Sequence, residues 1–178
     1  MAENEESAAV LSRAIDQAAE AIAAVCEDQL DEPTPCADWD VGRLVAHLAV
    51  GAGHLLEQAR GGTPDWSAVP DRVEDPAGTF RASGAALLAH VRDQEANADW
   101  QLAELAVHTW DLVTATGQAT RLDPAVAERG YAFMSNALKP EMRAGVFGPE
   151  QPAPADADPY QRIAAFAGRE VGAAGIPG

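Results

Sequence analysis

Apolar residues recur along the chain at intervals of three and four, with charged and small polar residues between them. That period is helical, because residues three and four apart share one face of an α-helix. Val10, Leu11, Ile15, Ala18, Ile22 and Val25 predict a first helix over about residues 7 to 30. The run Asp31-Glu32-Pro33-Thr34-Pro35 ends it, since proline lacks the backbone donor and restricts the residue before it. A second helix opens at Asp40, which can cap the free N–H groups, with Trp39 placed to pack on Leu44 as a hydrophobic staple. Its core stripe is Val41, Leu44, Val45, Leu48, Ala52, Leu55 and Leu56, and Gly61-Gly62 stops it.

Residues 61 to 78, rich in Gly, Pro and Asp, read as a long loop, a length often tied to function. A third helix follows over about residues 79 to 95. The fourth has Asp99 as its cap and Gly117 just past its end. Asp123-Pro124 opens a fifth that ends before Pro140, and residues 144 to 157 form a loop. Asp158-Pro159 opens a last short helix that Gly168 closes. No sustained period-two run of β-branched residues predicts a strand. The pattern therefore predicts an all-α bundle: one domain over residues 8 to 169, between a disordered start at 1 to 7 and a flexible tail at 170 to 178.

Composition agrees with that pattern. Alanine dominates the 47% apolar content and aromatics are only 6%, which suits closely approaching helices better than sheets. A chain of 178 residues can bury a large core without disulfides. Cys26 and Cys36 show no CxxC spacing, which argues against a cysteine-based zinc site. The net charge of −16 repels phosphate backbones and anionic lipid, so neither nucleic acid nor a membrane surface is an expected partner. Residues 1 to 7 are acidic and lack the apolar core of a signal peptide, and no apolar run is long enough to span a membrane. The expected compartment is the cytoplasm, with both thiols reduced.

Candidate chemistry gathers on the fourth helix. At about 100° per residue, Glu104, His108 and Asp111 share one narrow strip, separate from the apolar stripe of Leu102, Leu105, Ala106, Thr109 and Val113. Glu and His one turn apart can converge on one ion, and carboxylate with imidazole suits zinc, nickel or a similar divalent metal. A third ligand must come from another helix, and His47, at the flank of the second stripe, is the candidate. Spacing alone leaves the bland alternatives open. A Glu/His pair four apart is usually a surface contact, and a lone His47 is more often a satisfied boundary histidine. His54 lies about 10 Å along the axis from His47 and cannot share its ion; it and His90 are expected to face solvent. Asp111 can orient His108 through the second ring nitrogen or itself bind the metal, the first role being at least as common. Cys36 reads as a packed thiol, and the four tryptophans as packing residues. No P-loop, GxGxxG fingerprint or GxSxG elbow is present.

Two motifs carry a family resemblance. Pro33-Thr34-Pro35-Cys36-Ala37-Asp38-Trp39-Asp40-Val41, followed by Leu44 and His47-Leu48, resembles the opening motif of DinB-like proteins related to the N-terminal domain of mycothiol-dependent maleylpyruvate isomerase. Glu104 through Leu112, running on to Ala115-Thr116-Gly117, resembles their second motif. Arg143 to Pro149 and Asp158 to Arg169 resemble the actinobacterial branch of the same group.

The resemblance implies a DinB-like four-helix bundle with additional short helices and a divalent metal, typically zinc and in some relatives nickel. Carried over residue by residue, its ligands fall on His47, Glu104 and His108, with Asp111 behind His108. It implies mycothiol or a related thiol as co-substrate, an electrophilic small molecule as partner, and a homodimer. The function it implies is a thiol-dependent transferase or isomerase; a non-catalytic metal-binding or dimerisation module is the alternative. The full isomerase carries a second, C-terminal domain, and this chain is expected to lack it.

Overall fold

The fold is described from a computed structural model, over residues 2–36, 39–139, 141, 143 and 147–172. Ala37 and Asp38 of the first motif, part of the 143–149 segment, and residues 173–178 of the expected tail lie outside these. Among the described residues there are six α-helices and no strand: α1 (Ala2–Ala23), α2 (Val41–Ala59), α3 (Pro76–Asp93), α4 (Asp99–Thr116), α5 (Pro124–Ala137) and α6 (Pro159–Phe166). A 3-10 turn, Glu27–Gln29, follows α1.

Helices α1, α3, α2 and α4 form a ring in which each packs on the next, and α5 and α6 cover the outer side of α4. This is the expected bundle with two shorter helices added. The consequence for α4 is that its middle, from Gln101 to Val113, has no solvent face. Every residue from Gln101 to Val113 is buried except Glu104. The polar strip read from the sequence as a face distinct from the core is itself interior. Small residues allow the close approaches: a Cβ on Gly130 would come within 2.8 Å of the Ala103 Cα, and one on Gly84 within 2.8 Å of the Ile15 Cγ2.

Most helix ends follow their caps. The Asp40, Asp123 and Asp158 side chains accept from Arg43, Ala125 and Gln161 N–H groups respectively, and Gly117 ends α4 at φ 61°. Three helices differ from expectation at their ends. Helix α3 starts at Pro76 behind Asp75, a cap-and-proline pair inside the stretch read as loop. The cap position of α4 is Ala98, while Asp99 sits in the first turn and pairs with Arg129.

The third difference is α1, which is shifted toward the N-terminus at both ends. It takes in residues 2–7, read as disordered, because they have tertiary partners. The buried Ser7 hydroxyl accepts from the Ala98 N–H at 3.0 Å and Asn4 donates to the Glu95 carbonyl. Glu3 and Glu5 also lie in the first turn, where the helix dipole favours them. At the other end α1 stops at Ala23 rather than near residue 30. There Gln118 donates to the Ala21 carbonyl and Gln29 to the Thr116 carbonyl, bending the chain onto the end of α4.

Candidate metal centre

The site is built where α2 faces α4, with two loops closing over it. From α2 comes His47, buried at 6% exposure. From α4 come Glu104 and His108, one turn apart on the strip that points at α2. The His47 Nε2 lies 3.2 Å from Glu104 Oε1, and the His108 Nε2 lies 3.3 Å from the same oxygen. The two imidazoles meet edge to face, with centroids 4.8 Å apart. Donor atoms of His47, Glu104 and His108 all fall within 4.8 Å of one another. The structure thus brings together the three residues named from the sequence.

Behind His108 stands a second layer. Its Nδ1 donates to Asp111 Oδ2 at 3.2 Å, leaving Nε2 to face Glu104 and His47. Asp111 has no solvent exposure, and a buried carboxylate needs a counter-charge. Arg169 supplies it: Nε donates to Oδ1 at 3.1 Å and Nη2 to Oδ2 at 2.9 Å, with Nη1 on the Ala167 carbonyl. The turn after α6 makes this reach possible. Gly168 adopts φ +91°, and a Cβ there would lie 2.7 Å from the Gly148 Cα. Only glycine takes that conformation at no steric cost in so tight a place.

Burial and charge act in opposition here. Burial pushes the Glu104 carboxyl up, but the His108 charge and hydrogen bonds from His108 and His47 outweigh it and hold it far below the usual range. Burial lowers His108, yet Glu104 and Asp111 overcome that and raise it to about 9. His47 goes the other way: burial lowers it, and the nearby His108 charge adds to that. Without a metal the site therefore stores a proton on His108, between two carboxylates. The His47 Nδ1 is buried with no partner among the described residues.

A second group of possible donors, Cys36, His108 and Asp111, also lies within 4.8 Å. Both Asp111 oxygens are already held by Arg169 and His108, so a cation there would meet a guanidinium. The first group fits a divalent ion better: two imidazoles and one carboxylate, with no arginine bound to its donor atoms among the described residues. Cys36, read as a packed thiol, is half-buried at the edge of this cluster.

The aromatic residues do more than fill space. A backbone bridge pairs Pro33 with Asp40, supported by the Thr34 hydroxyl, whose one proton is shared between the Cys36 and Trp39 carbonyls. It lays Trp39 flat on His108, with centroids 5.7 Å apart and planes 17° apart, and tilts it on His47 at 4.7 Å. The indole packs against the hydrophobic core that contains Leu44 and, beyond the staple expected from the sequence, on both histidines. From the 60–75 loop Trp66 reaches His47 at 6.2 Å and His54 at 5.3 Å. His54 is therefore half-buried under Trp66 rather than solvent-facing. His90 is also half-buried, with Nε2 3.3 Å from the Ala59 carbonyl.

Arg169 is the residue that sequence reading missed. It lies 58 positions from Asp111, and no periodicity links the two. Its signal was indirect: an interior Asp on a helix requires a cation from somewhere.

Two proteins of Mycobacterium tuberculosis are each 32% identical to the chain over 183 residues, spanning 89% of it and 95% of the relative. One is from strain CDC 1551 / Oshkosh and one from strain ATCC 25618 / H37Rv, and both are described as uncharacterized. No solved structure matches significantly. A family model described as the mycothiol maleylpyruvate isomerase N-terminal domain matches residues 11–133, a span that holds His47, Glu104, His108 and Asp111 but not Arg169. The chain belongs to the mycothiol maleylpyruvate isomerase N-terminal domain family.

Proposed function

We propose that the chain binds a divalent metal, zinc or alternatively nickel, through His47, Glu104 and His108, and uses it in a transferase or isomerase reaction that depends on a mycothiol-type thiol. The observation that carries this is the convergence of two imidazoles and one carboxylate in a buried cluster of a family named for a mycothiol-dependent enzyme domain.

A bound ion would supply Lewis acidity, holding an incoming thiol as its thiolate. The protein supplies the rest. Three ligands leave a position open. A single carboxylate among them leaves net positive charge, which favours an anionic sulfur. Asp111 fixes the tautomer and orientation of His108. Trp39 and Trp66 wall the imidazoles on two sides, excluding water and offering flat apolar surfaces to an electrophile. Among the described residues no helix is long and apolar enough to cross a membrane.

The test is conjugation of a low-molecular-weight thiol to a panel of electrophiles by metal-loaded protein. Saturable turnover, lost in Glu104→Ala, is the expected result. Stoichiometric metal binding with no turnover on any electrophile overturns the enzymatic reading and leaves a binding module.

A further inference from the structure

Arg169 lies outside the three-residue cluster and donates to none of its atoms, yet it is the only cation bonded to the buried network that includes them among the described residues. Its guanidinium is buried at 6% exposure and takes both oxygens of Asp111. A fork of that kind fixes geometry and divides the carboxylate's charge. Burial alone disfavours a charged guanidinium, but Asp111 outweighs it, so Arg169 stays charged; it lies within electrostatic reach of Glu104 and Cys36 as well.

Asp111 holds His108 by its Nδ1, and a carboxylate in that position raises the donor strength of the opposite nitrogen. An uncompensated Asp111 would push charge through His108 and blunt the ion's positive charge. With Arg169 present, the carboxylates of Glu104 and Asp111, the guanidinium and a divalent ion leave one positive charge at the centre. With Arg169 removed, they leave none.

We infer that Arg169 is a positioning residue that keeps the metal centre electrophilic, by neutralising Asp111 and limiting how strongly His108 donates. This rests on the metal reading above. It gives the segment after α6 a role in the chemistry: the turn at Gly168 delivers to the α2–α4 site a charge that neither helix supplies.

The experiment uses the full chain loaded with cobalt(II) and titrated with N-acetylcysteine, reading the sulfur-to-cobalt charge-transfer absorption against pH. In Arg169→Gln the midpoint for thiolate binding is expected to rise by about one pH unit, the size of a shift caused by one nearby charge. In Arg169→Lys, which keeps the charge, it is expected to stay near wild type. Asp111→Asn keeps an oxygen for Arg169 and removes the carboxylate charge, so its midpoint is expected to fall. Asp111→Asn carries the test if Arg169→Gln does not fold. Midpoints unchanged in the folded variants, with only thermal stability reduced, would show a purely structural pair and overturn the inference. If wild type binds cobalt but gives no thiol band, the thiol reading fails separately. The same comparison is then made on the pH midpoint of cobalt's visible spectrum, where equal midpoints again overturn the role of Arg169.

Discussion

His47 and His54 lie on one face of α2, two turns apart, and Trp66 touches both rings. Opposite His47, α4 presents Glu104 and His108. Beside His54 is the indole, and no carboxylate groups with it as a possible metal donor set among the described residues. The same residue on the same helix face is a candidate ligand in one place and a packing residue in the other. The neighbouring helix decides which, because an ion needs converging donors and a ring against an indole needs only contact. Site chemistry here is therefore a property of the α2–α4 pair.

The largest test of that contrast is removal of the converging donors. His47→Ala or Glu104→Ala is expected to weaken metal binding by more than about 100-fold, beyond the range seen for outer-layer partners. His54→Ala is expected to change it by less than about threefold on the same scale. Competition with a chromophoric chelator reads both; comparable losses in His54→Ala would erase the distinction between the two histidines.

Next is the layer behind His108. Asp111→Ala leaves Arg169 buried and unpaired, which is expected to cost about 3–5 kcal/mol of stability and about 10–100-fold in metal affinity. The exposed pair Arg13–Asp123 provides the control, since Arg13→Ala is expected to cost below about 1 kcal/mol. Urea denaturation measures the two side by side.

A smaller effect follows from the stored proton. His108 is raised from an ordinary 6.5 to about 9 in the folded, metal-free protein. Its stabilisation is complete below about pH 6.5 and is lost as pH rises toward 9. His47, lowered by burial, acts in the other direction, its contribution being lost as pH falls below 6.5. The thermal midpoint of metal-free protein is therefore expected to decline from about pH 6.5 to 9. Saturating metal, which displaces the proton, is expected to flatten that slope. A metal-free midpoint that rises over this window contradicts the assignment of the proton to His108.

Much of this was legible along the chain, for reasons that separate local from tertiary signals. Asp40, Asp123-Pro124, Asp158-Pro159 and Gly117 mark helix ends because capping depends on residues within one turn. Glu104, His108 and Asp111 were placed together by helical spacing, and the family resemblance brought in His47. The start of α1 was not legible, because Ser7 and Asn4 are ordered by partners more than 90 positions away. Nor were the burial of the middle of α4 on all sides, the stacking of Trp39 on His108, or Arg169, since each depends on where a distant segment returns.

The central claim is that the α2–α4 pair forms a metal site, and metal content tests it most directly. Wild-type protein equilibrated with zinc and freed of excess, then measured by elemental analysis, is expected to hold about one equivalent per chain, and Glu104→Ala essentially none. Wild-type protein holding less than about a tenth of an equivalent after the same treatment would contradict it.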